Sequence, residues 1–178
     1  MDLGHHEKAD DDMGVHEHRH QAPASVGIGI LSVSSTRTLA NDESGLWIAA
    51  RAKKEGHAVR FHQVVPDDIA AIREATLRAL REPGLQALLI TGGTGITPKD
   101  VTIEAIKPLF SKELNAFGAI FAQLSFEEID AAAILSRATA GVIGGVVVFC
   151  MPGSKKACQL ACKALIFPEL GHLVAHVR

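Results

Sequence analysis

The segment Leu89–Ile103 has the sequence LITGGTGITPKDVTI, and it indicates both the fold and the position of a ligand site. An apolar run at Ala87–Ile90 leads into it and is typical of a buried strand. The glycines of Thr91–Gly95 (TGGTG) permit positive φ angles and let an anion approach the backbone amides. Thr102 follows as the candidate N-cap of a helix. A strand, a glycine turn and a helix N-terminus in this order favour the binding of a phosphate group.

Apolar strands and amphipathic helices alternate on both sides of this segment. The first run is almost continuously apolar, as expected of a strand that is covered on both faces. This alternation predicts an α/β fold, with a doubly wound, mainly parallel sheet in three layers. The predicted strands are Val26–Val33, His57–Val65, Ala87–Ile90 and Gly145–Cys150. The predicted helices cover residues 43–55 with Asp42 as N-cap, the stretch after Pro66, Thr102–Phe110, the region Phe117–Leu124, Lys155 to about Leu165, and a short stretch after Pro168.

In such a sheet, ligands bind beyond the carboxyl ends of the parallel strands. Polar segments follow the predicted strands and are expected to converge there: Ser32–Asp42, Val65–Asp68, Thr91–Thr102 and Met151–Ser154. The pattern indicates an anion-binding edge with two carboxylates, Asp67 and Asp100, as candidate ligands of a metal ion. Alternatively, Asp67 is the N-cap of the helix after Pro66, and Asp100 is a cap or turn residue.

The composition of the chain excludes several functional classes. Its 178 residues predict one domain, and 47% hydrophobic residues suffice for a core. A net charge of -2 and 4% aromatic residues provide neither a basic footprint nor a stacking platform for nucleic acid. No apolar run reaches the roughly 18–20 residues of a membrane span. With no visible signal peptide and an odd number of cysteines, we expect free thiols and a cytoplasmic protein.

Residues 1–24 differ from the rest of the chain because acidic and histidine side chains predominate over apolar ones. Such a segment buries too little surface to offset its ordering entropy, so we expect a disordered tail. Residues 25–178 are then the folded domain. The histidines of the tail also form a candidate weak site for a transition metal: His5, His6, His16, His18 and His20.

Several motifs, in this order, resemble the MoaB/MogA family of molybdenum cofactor biosynthesis proteins. The resemblance covers about residues 25–170, and the stretch FGAIFAQLSFEEI at Phe117–Ile129 is most similar to the MoaB branch. The motifs are PDD at Pro66–Asp68, TGGTG-x4-D-V-T at Thr91–Thr102, LSR at Leu135–Arg137 with Ala140-Gly141, and MPGS at Met151–Ser154.

The resemblance implies a molybdopterin-binding, MogA-like fold and a homotrimer or a homohexamer formed by two trimers. Active members are molybdopterin adenylyltransferases, which use Mg²⁺, ATP and molybdopterin as cofactor and substrates. The family's two functional acids correspond to Asp67 and Asp100, which are the implied catalytic and metal-binding residues. The implied binding residues are Thr91, Gly92, Gly93, Thr94, Gly95, Ser136, Arg137, Pro152, Gly153 and Ser154.

The sequence departs from the family pattern at two places. Ile103 replaces a proline of many members, and the turn PGSKKA replaces the PGNPNA of some adenylyltransferases. The expected function is Mg-ATP-dependent adenylylation of molybdopterin; a carrier or paralogue that binds molybdopterin without transfer, and a scaffold, are the alternatives. For Arg137, the alternative to a phosphate contact is a salt bridge at the surface or between subunits.

Two further features bear on assembly and on metals. Phe117, Phe121 and Phe126 lie in a segment whose apolar residues extend beyond one helical stripe, which predicts a subunit contact. Two pairs have the i, i+4 spacing of zinc ligands: Cys158 with Cys162, and His172 with His176. For the cysteines, a buried apolar role is the favoured interpretation.

Overall fold

A computed structural model of the chain describes residues 23–177. The strands are β1 (Gly27–Val33), β2 (Ala58–Val65), β3 (Ala87–Thr91), β4 (Lys112–Glu113), β5 (Thr139–Ile143) and β6 (Val146–Met151). The helices are α1 (Glu43–Lys54), α2 (Ile69–Ala79), α3 (Thr102–Ile106), α4 (Asn115–Ile129), α5 (Lys155–Ala161) and α6 (Phe167–His176). All but two residues of the predicted tail lie outside the described residues, so the tail and its metal site stay predictions.

The sheet has six strands in the order β2-β1-β3-β6-β5-β4. The first four of these run parallel, and their alternating side chains enter two separate cores. Ile28 and Ile30 of β1 face α1, α4, α5 and α6, whereas Leu31 and Val33 face α2 and α3. The predicted three-layer, mainly parallel α/β fold is therefore confirmed. Within residues 23–177, no helix is long and apolar enough to cross a membrane.

An antiparallel hairpin was missed by the strand prediction. β5 and β6 are antiparallel and are joined by Gly144 and Gly145, whose φ angles are 56° and 81°. A Gly-Gly pair between two apolar runs is a known signal of this turn type, because both positions need positive φ. β4 adds two residues antiparallel to β5 at the edge of the sheet.

Several helix boundaries differ from the prediction. Thr102 is the first residue of α3 rather than its N-cap; Val101 holds that position without a side-chain cap. α3 ends at Ile106, and a 3-10 turn that contains Pro108 follows, because proline interrupts α-helical hydrogen bonding. The predicted last two helices are one continuous helical run, in which a π turn at Cys162–Ile166 joins α5 to α6.

The phenylalanines of α4 divide between the core and the surface. Phe117 and Phe121 are buried in the core, stacked on each other, and Phe117 also contacts Phe149 of β6. Their predicted role in a subunit contact is therefore wrong. Phe126, in contrast, is 58% exposed. All three cysteines are free and buried, as expected for small apolar side chains.

Candidate functional site

The four polar segments do converge at the carboxyl edge of the parallel strands. The Asp67 carboxylate accepts hydrogen bonds from the backbone N–H and the hydroxyl of Ser35, which joins the loops after β1 and β2. The backbone N–H of Gly92 donates to the carbonyl of Met151 at 3.0 Å. Arg37 Nη1 donates to the carbonyl of Gly153 at 3.3 Å. The site is thus one connected surface built from loops of four adjacent strands.

The glycine loop after β3 depends on two positive φ angles, 95° at Gly92 and 63° at Gly93. A Cβ at Gly92 would collide with the carbonyl oxygen of Val33, so only glycine fits there. Thr102 fixes the loop from the other side: its hydroxyl donates to the Gly92 carbonyl at 2.8 Å and its N–H to the Gly93 carbonyl at 2.9 Å. Gly95 lacks a positive φ, and its closest neighbour is Asp100 Oδ2, 2.8 Å from where a Cβ would lie.

Asp67 and Asp68 have different roles although they are adjacent. Asp68 is the N-cap of α2 and accepts from the N–H of Ala71 at 2.8 Å. The alternative role of Asp67 as that N-cap is therefore wrong. Both hydrogen bonds from Ser35 go to Asp67 Oδ2, at 2.8 and 2.7 Å, and Oδ1 lies on the side of Gly93.

Asp100 is held by the turn that precedes α3. Its Oδ2 accepts from the N–H of Thr97 at 2.9 Å and from the Thr97 hydroxyl at 2.7 Å. The hydrogen bond from the Thr97 side chain is the largest cause that lowers the pKa of Asp100; burial opposes it, and the charge of Arg137 supports it. Asp100 is therefore ionised at neutral pH and provides a fixed negative charge beside the glycine loop.

Arg137 binds the glycine loop from the opposite side. Its Nε donates to the carbonyls of Thr94 and Gly95, both at 3.0 Å. Its Nη1 forms a salt bridge with Glu104 Oε1 at 2.6 Å. These partners within the chain match the salt-bridge alternative, and they hold the carbonyls of Thr94 and Gly95 in place. The adjacent Ser136 closes the preceding 3-10 turn through its backbone N–H, which donates to Ala133.

The remaining predicted binding residues line the junction of β3 and β6. The hydroxyl of Thr91 donates to the carbonyl of Pro152 at 3.0 Å, and Ser154 caps α5 by accepting from the N–H of Ala157. Thr94 is 1% exposed, and its hydroxyl has no hydrogen-bond partner among the described residues. A buried hydroxyl without a partner is costly, so the Thr94 hydroxyl is a candidate donor to a bound ligand.

A buried polar network behind the site was missed by the sequence analysis. Asp42 is fully buried and accepts from the hydroxyl of Ser32 at 2.5 Å, from the N–H of Gly45 at 3.1 Å and from His62 Nε2 at 3.1 Å. The predicted N-cap role of Asp42 is confirmed, but Ser32 and His62 were not anticipated. A histidine in the middle of a strand gives no sequence signal of its partner, since that partner is 20 residues away in the chain.

The comparisons with known proteins agree with this geometry. Residues 29–172 match the family described as "Probable molybdopterin binding domain". The chain belongs to this family. Two relatives of the molybdopterin-binding family cover nearly the whole chain. Molybdenum cofactor biosynthesis protein B of Bacillus subtilis is 46% identical over 93% of this chain and 98% of its own. Molybdopterin adenylyltransferase of Pyrococcus furiosus is 41% identical over 93% of this chain and 99% of its own.

Solved structures of the molybdopterin-binding family have the same fold. One is the crystal structure of a Molybdenum cofactor biosynthesis protein B, with a TM-score of 0.85 and 44% identity over 88% of this chain and 98% of that one. Another is the tungsten cofactor synthesizing protein MoaB from Pyrococcus furiosus, with a TM-score of 0.80 and 39% identity over 88% of this chain and 99% of that one. The resemblance to the MoaB branch is thereby confirmed.

Proposed function

We propose that this protein is a molybdopterin adenylyltransferase of molybdenum or tungsten cofactor biosynthesis. The terminal phosphate oxygen of molybdopterin attacks the α-phosphorus of ATP, and the bond from that phosphorus to the leaving pyrophosphate breaks. The products are adenylylated molybdopterin and pyrophosphate. The observation that carries the proposal is the placement of two carboxylates, Asp67 and Asp100, beside Gly93 and Gly95 of an anion-binding loop. The name of the Pyrococcus furiosus relative supports the same activity.

The chain's own residues have mainly a positioning role in this reaction, since transfer of a phosphorus group requires alignment and charge neutralisation more than covalent catalysis. The amides of Gly93 and Thr94 bind phosphate oxygens, because the Gly92 N–H already donates to Met151 and the Gly95 N–H faces the Asp100 carboxylate. The Thr94 hydroxyl, which lacks a partner among the described residues, donates to one of these oxygens. Thr91, Pro152, Gly153 and Ser154 lie beside the glycine loop, at the junction of β3 and β6. Arg137 supports the loop, Arg37 is an additional cation beside Gly153, and Ser136 stays a predicted binding residue.

The two carboxylates fit Mg²⁺, the ion that Mg-ATP brings to the site. Each uses Oδ2 for its serine or threonine partners, and Mg²⁺ prefers one or two such carboxylates together with phosphate oxygens and water. Within residues 23–177, no cluster of three or more His, Cys, Asp or Glu is placed to hold an ion, so phosphate oxygens and water would supply the other ligands. When bound, Mg²⁺ neutralises charge on the triphosphate. Asp67 and Asp100 would hold it.

Incubation of the purified full chain with molybdopterin and Mg-ATP tests this function. Adenylylated molybdopterin and pyrophosphate are expected in equal amounts, with neither formed when molybdopterin is omitted. The alternative, a molybdopterin carrier without transferase activity, gives pterin binding in calorimetry without pyrophosphate release. That result would reject the proposed activity and leave the membership of the family intact.

A methyl group at Gly95 is expected to weaken nucleotide binding without unfolding the protein. The φ angle of Gly95 suits an alanine, but its Cβ would lie 2.8 Å from Asp100 Oδ2 and displace that carboxylate. We expect Gly95→Ala to raise the dissociation constant of Mg-ATP about tenfold, or ~1.4 kcal/mol, at an unchanged thermal midpoint. Gly56→Ala is the control for backbone strain: its φ of 85° disfavours alanine, so it should lower the thermal midpoint, but it lies away from the loop and should leave the affinity for Mg-ATP unchanged. Equal calorimetric affinities of Gly95→Ala and the unmodified protein would contradict the role of Gly95.

We also propose that the protein assembles in the cytoplasm as a homotrimer or as a homohexamer of two trimers. Large apolar side chains are exposed along α4 and the following 3-10 turn: Ile120, Phe126, Ile129, Ile134 and Leu135. Exposed apolar side chains in this number favour contact with another protein surface. The three free cysteines support a reducing compartment.

Phe126→Asp is expected to shift the assembly toward monomers. Phe126 is 58% exposed, so an aspartate is tolerated in the isolated subunit but would be a buried, unpaired charge in an interface. Light scattering at micromolar concentration should give a trimer or hexamer for the unmodified chain and a smaller species for the variant. Glu127→Asp, on the same helix and without a change of charge, is the control. A monomeric unmodified protein would refute the assembly and leave the active-site proposal standing.

A further inference from the structure

The C-terminal helix presents two imidazoles one turn apart. The Nε2 atoms of His172 and His176 face each other at 2.8 Å, and their rings are nearly edge-to-face, at 64°. Both side chains lie on the outer side of α6, since Leu170 and Val174 supply its buried face. Two ring nitrogens that point at one place share either one proton or one metal ion.

Glu169 orients the first of these imidazoles. Its Oε2 lies 3.1 Å from His172 Nδ1, and because a carboxylate only accepts, Nδ1 carries the proton of that hydrogen bond. The lone pair of the neutral ring is then on Nε2, the atom that faces His176. A carboxylate–histidine contact of this kind orients histidine ligands in metal sites and raises their basicity.

We propose that His172 and His176 form a chelating site for a borderline divalent transition metal such as Ni²⁺, Zn²⁺ or Cu²⁺. Metal–imidazole bonds of about 2.0–2.1 Å place two ligand nitrogens about 3.0 Å apart at a right angle and about 3.3 Å apart in a tetrahedron. The observed 2.8 Å needs to widen by only a few tenths of an ångström. Imidazole nitrogens select these ions over Mg²⁺ and Ca²⁺. Water completes the coordination.

This site lies at the end of the sheet opposite the proposed active site. A Cβ at Gly145, which precedes β6, would be 3.6 Å from the carbonyl oxygen of Val177, the residue after His176. The amino end of β6 is therefore beside the histidine pair, whereas its carboxyl end leads to Pro152 and Gly153. Metal binding here is independent of the adenylyltransferase proposal, and either can fail without the other.

Thermal unfolding of the full chain in the presence of NiCl2 alone tests whether the metal binds at His172 and His176 or at the histidine-rich N-terminus. A metal raises the midpoint only when it binds the folded state better than the unfolded one. The pair on α6 meets this condition because the helix brings the rings together, whereas a disordered tail would bind equally in both states. We expect a rise of about 5–10 °C when free Ni²⁺ exceeds its dissociation constant a hundredfold. MgCl2 should give no rise.

Matched full-length variants separate the contributions of the histidine pair, Glu169 and the tail histidines to the rise in midpoint. His172→Gln and His176→Gln should each lose the rise in midpoint, while the midpoint of the metal-free protein reports that the variant is folded. Replacing the five tail histidines by glutamine should preserve the rise. Glu169→Gln keeps both nitrogens and should raise the Ni²⁺ concentration at half-effect about tenfold. Three results would each overturn the site. The midpoint of the unmodified protein does not rise with NiCl2, it rises equally in His176→Gln, or its rise disappears when the tail histidines are replaced.

Discussion

Asp100→Asn is expected to reduce formation of adenylylated molybdopterin at least about a hundredfold, which corresponds to ~2.7 kcal/mol of transition-state stabilisation. Asparagine retains an oxygen that accepts from the N–H and hydroxyl of Thr97, so the turn before α3 keeps its geometry. The variant loses the negative charge that we assign to binding the Mg²⁺ of Mg-ATP. The thermal midpoint should stay within about 2 °C, as expected for a partly exposed substitution.

The adjacent acids Asp67 and Asp68 provide the matched control. Asp67→Asn should lose activity to a similar extent, whereas Asp68→Asn should keep it because asparagine is an equally good N-cap for α2. Both substitutions remove one charge from the same dipeptide, so a general electrostatic effect would lower both activities alike. Full activity of a folded Asp100→Asn or Asp67→Asn variant would reject the assignment of the two acids.

Asp42→Ala is expected to cause the largest loss of stability among substitutions near the site, about 3–5 kcal/mol. Asp42 is fully buried, and its removal leaves the hydroxyl of Ser32 and the Nε2–H of His62 without their acceptor. It also removes the N-cap of α1, whose Ser44 donates to the carbonyl of Gly153 at 2.8 Å. Urea unfolding measures the change in unfolding free energy. Thr36→Ala, at an exposed residue of the same loop, is the control.

The contribution of Asp42 should depend on pH in a defined direction. Burial raises the pKa of Asp42, but hydrogen bonds from His62, Ser32 and Gly45 outweigh it and leave the pKa below its ordinary value of 3.8. A carboxyl with a lowered pKa in the folded state stabilises the protein fully above its unfolded pKa and loses that contribution as the pH falls through its folded pKa. The difference in unfolding free energy between the unmodified chain and Asp42→Ala should therefore have its full value above about pH 4 and decrease below that pH. A difference that grows on acidification would exclude an ionised Asp42.

The parallel half of the fold was predictable because its signals are local. β1 and β3 are almost continuously apolar runs, and each is followed by polar residues at the edge where ligands bind. The convergence of those loops followed from one general property of parallel sheets. Asp42 was also recognisable as an N-cap, since aspartate just before an amphipathic pattern is typical of that position.

The features that were missed depend on tertiary contacts. Asp67 and Asp68 are equivalent in sequence, and only the contact of Asp67 with Ser35, 32 residues away, distinguishes them. Phe121 was predicted to lie at a subunit contact, because a helix that is apolar on several sides does not reveal which side meets the core. The position of Arg137 was equally hidden, since it depends on a strand that the prediction did not include.

That strand, β5, runs against its neighbours, and its direction explains how Arg137 enters the site. The loop that follows each parallel strand lies at the edge of the sheet where ligands bind. Because β5 runs in the opposite direction, the loop that precedes it lies at that edge, and Arg137 is in this loop, two residues before Thr139. The register of β5 on β6 is set by the two-residue turn at Gly144 and Gly145, at the far edge of the sheet. A shift of that register by one residue would move every side chain of β5 to the opposite face. The register that this distant turn sets therefore aligns the Arg137 guanidinium with the carbonyls of Thr94 and Gly95.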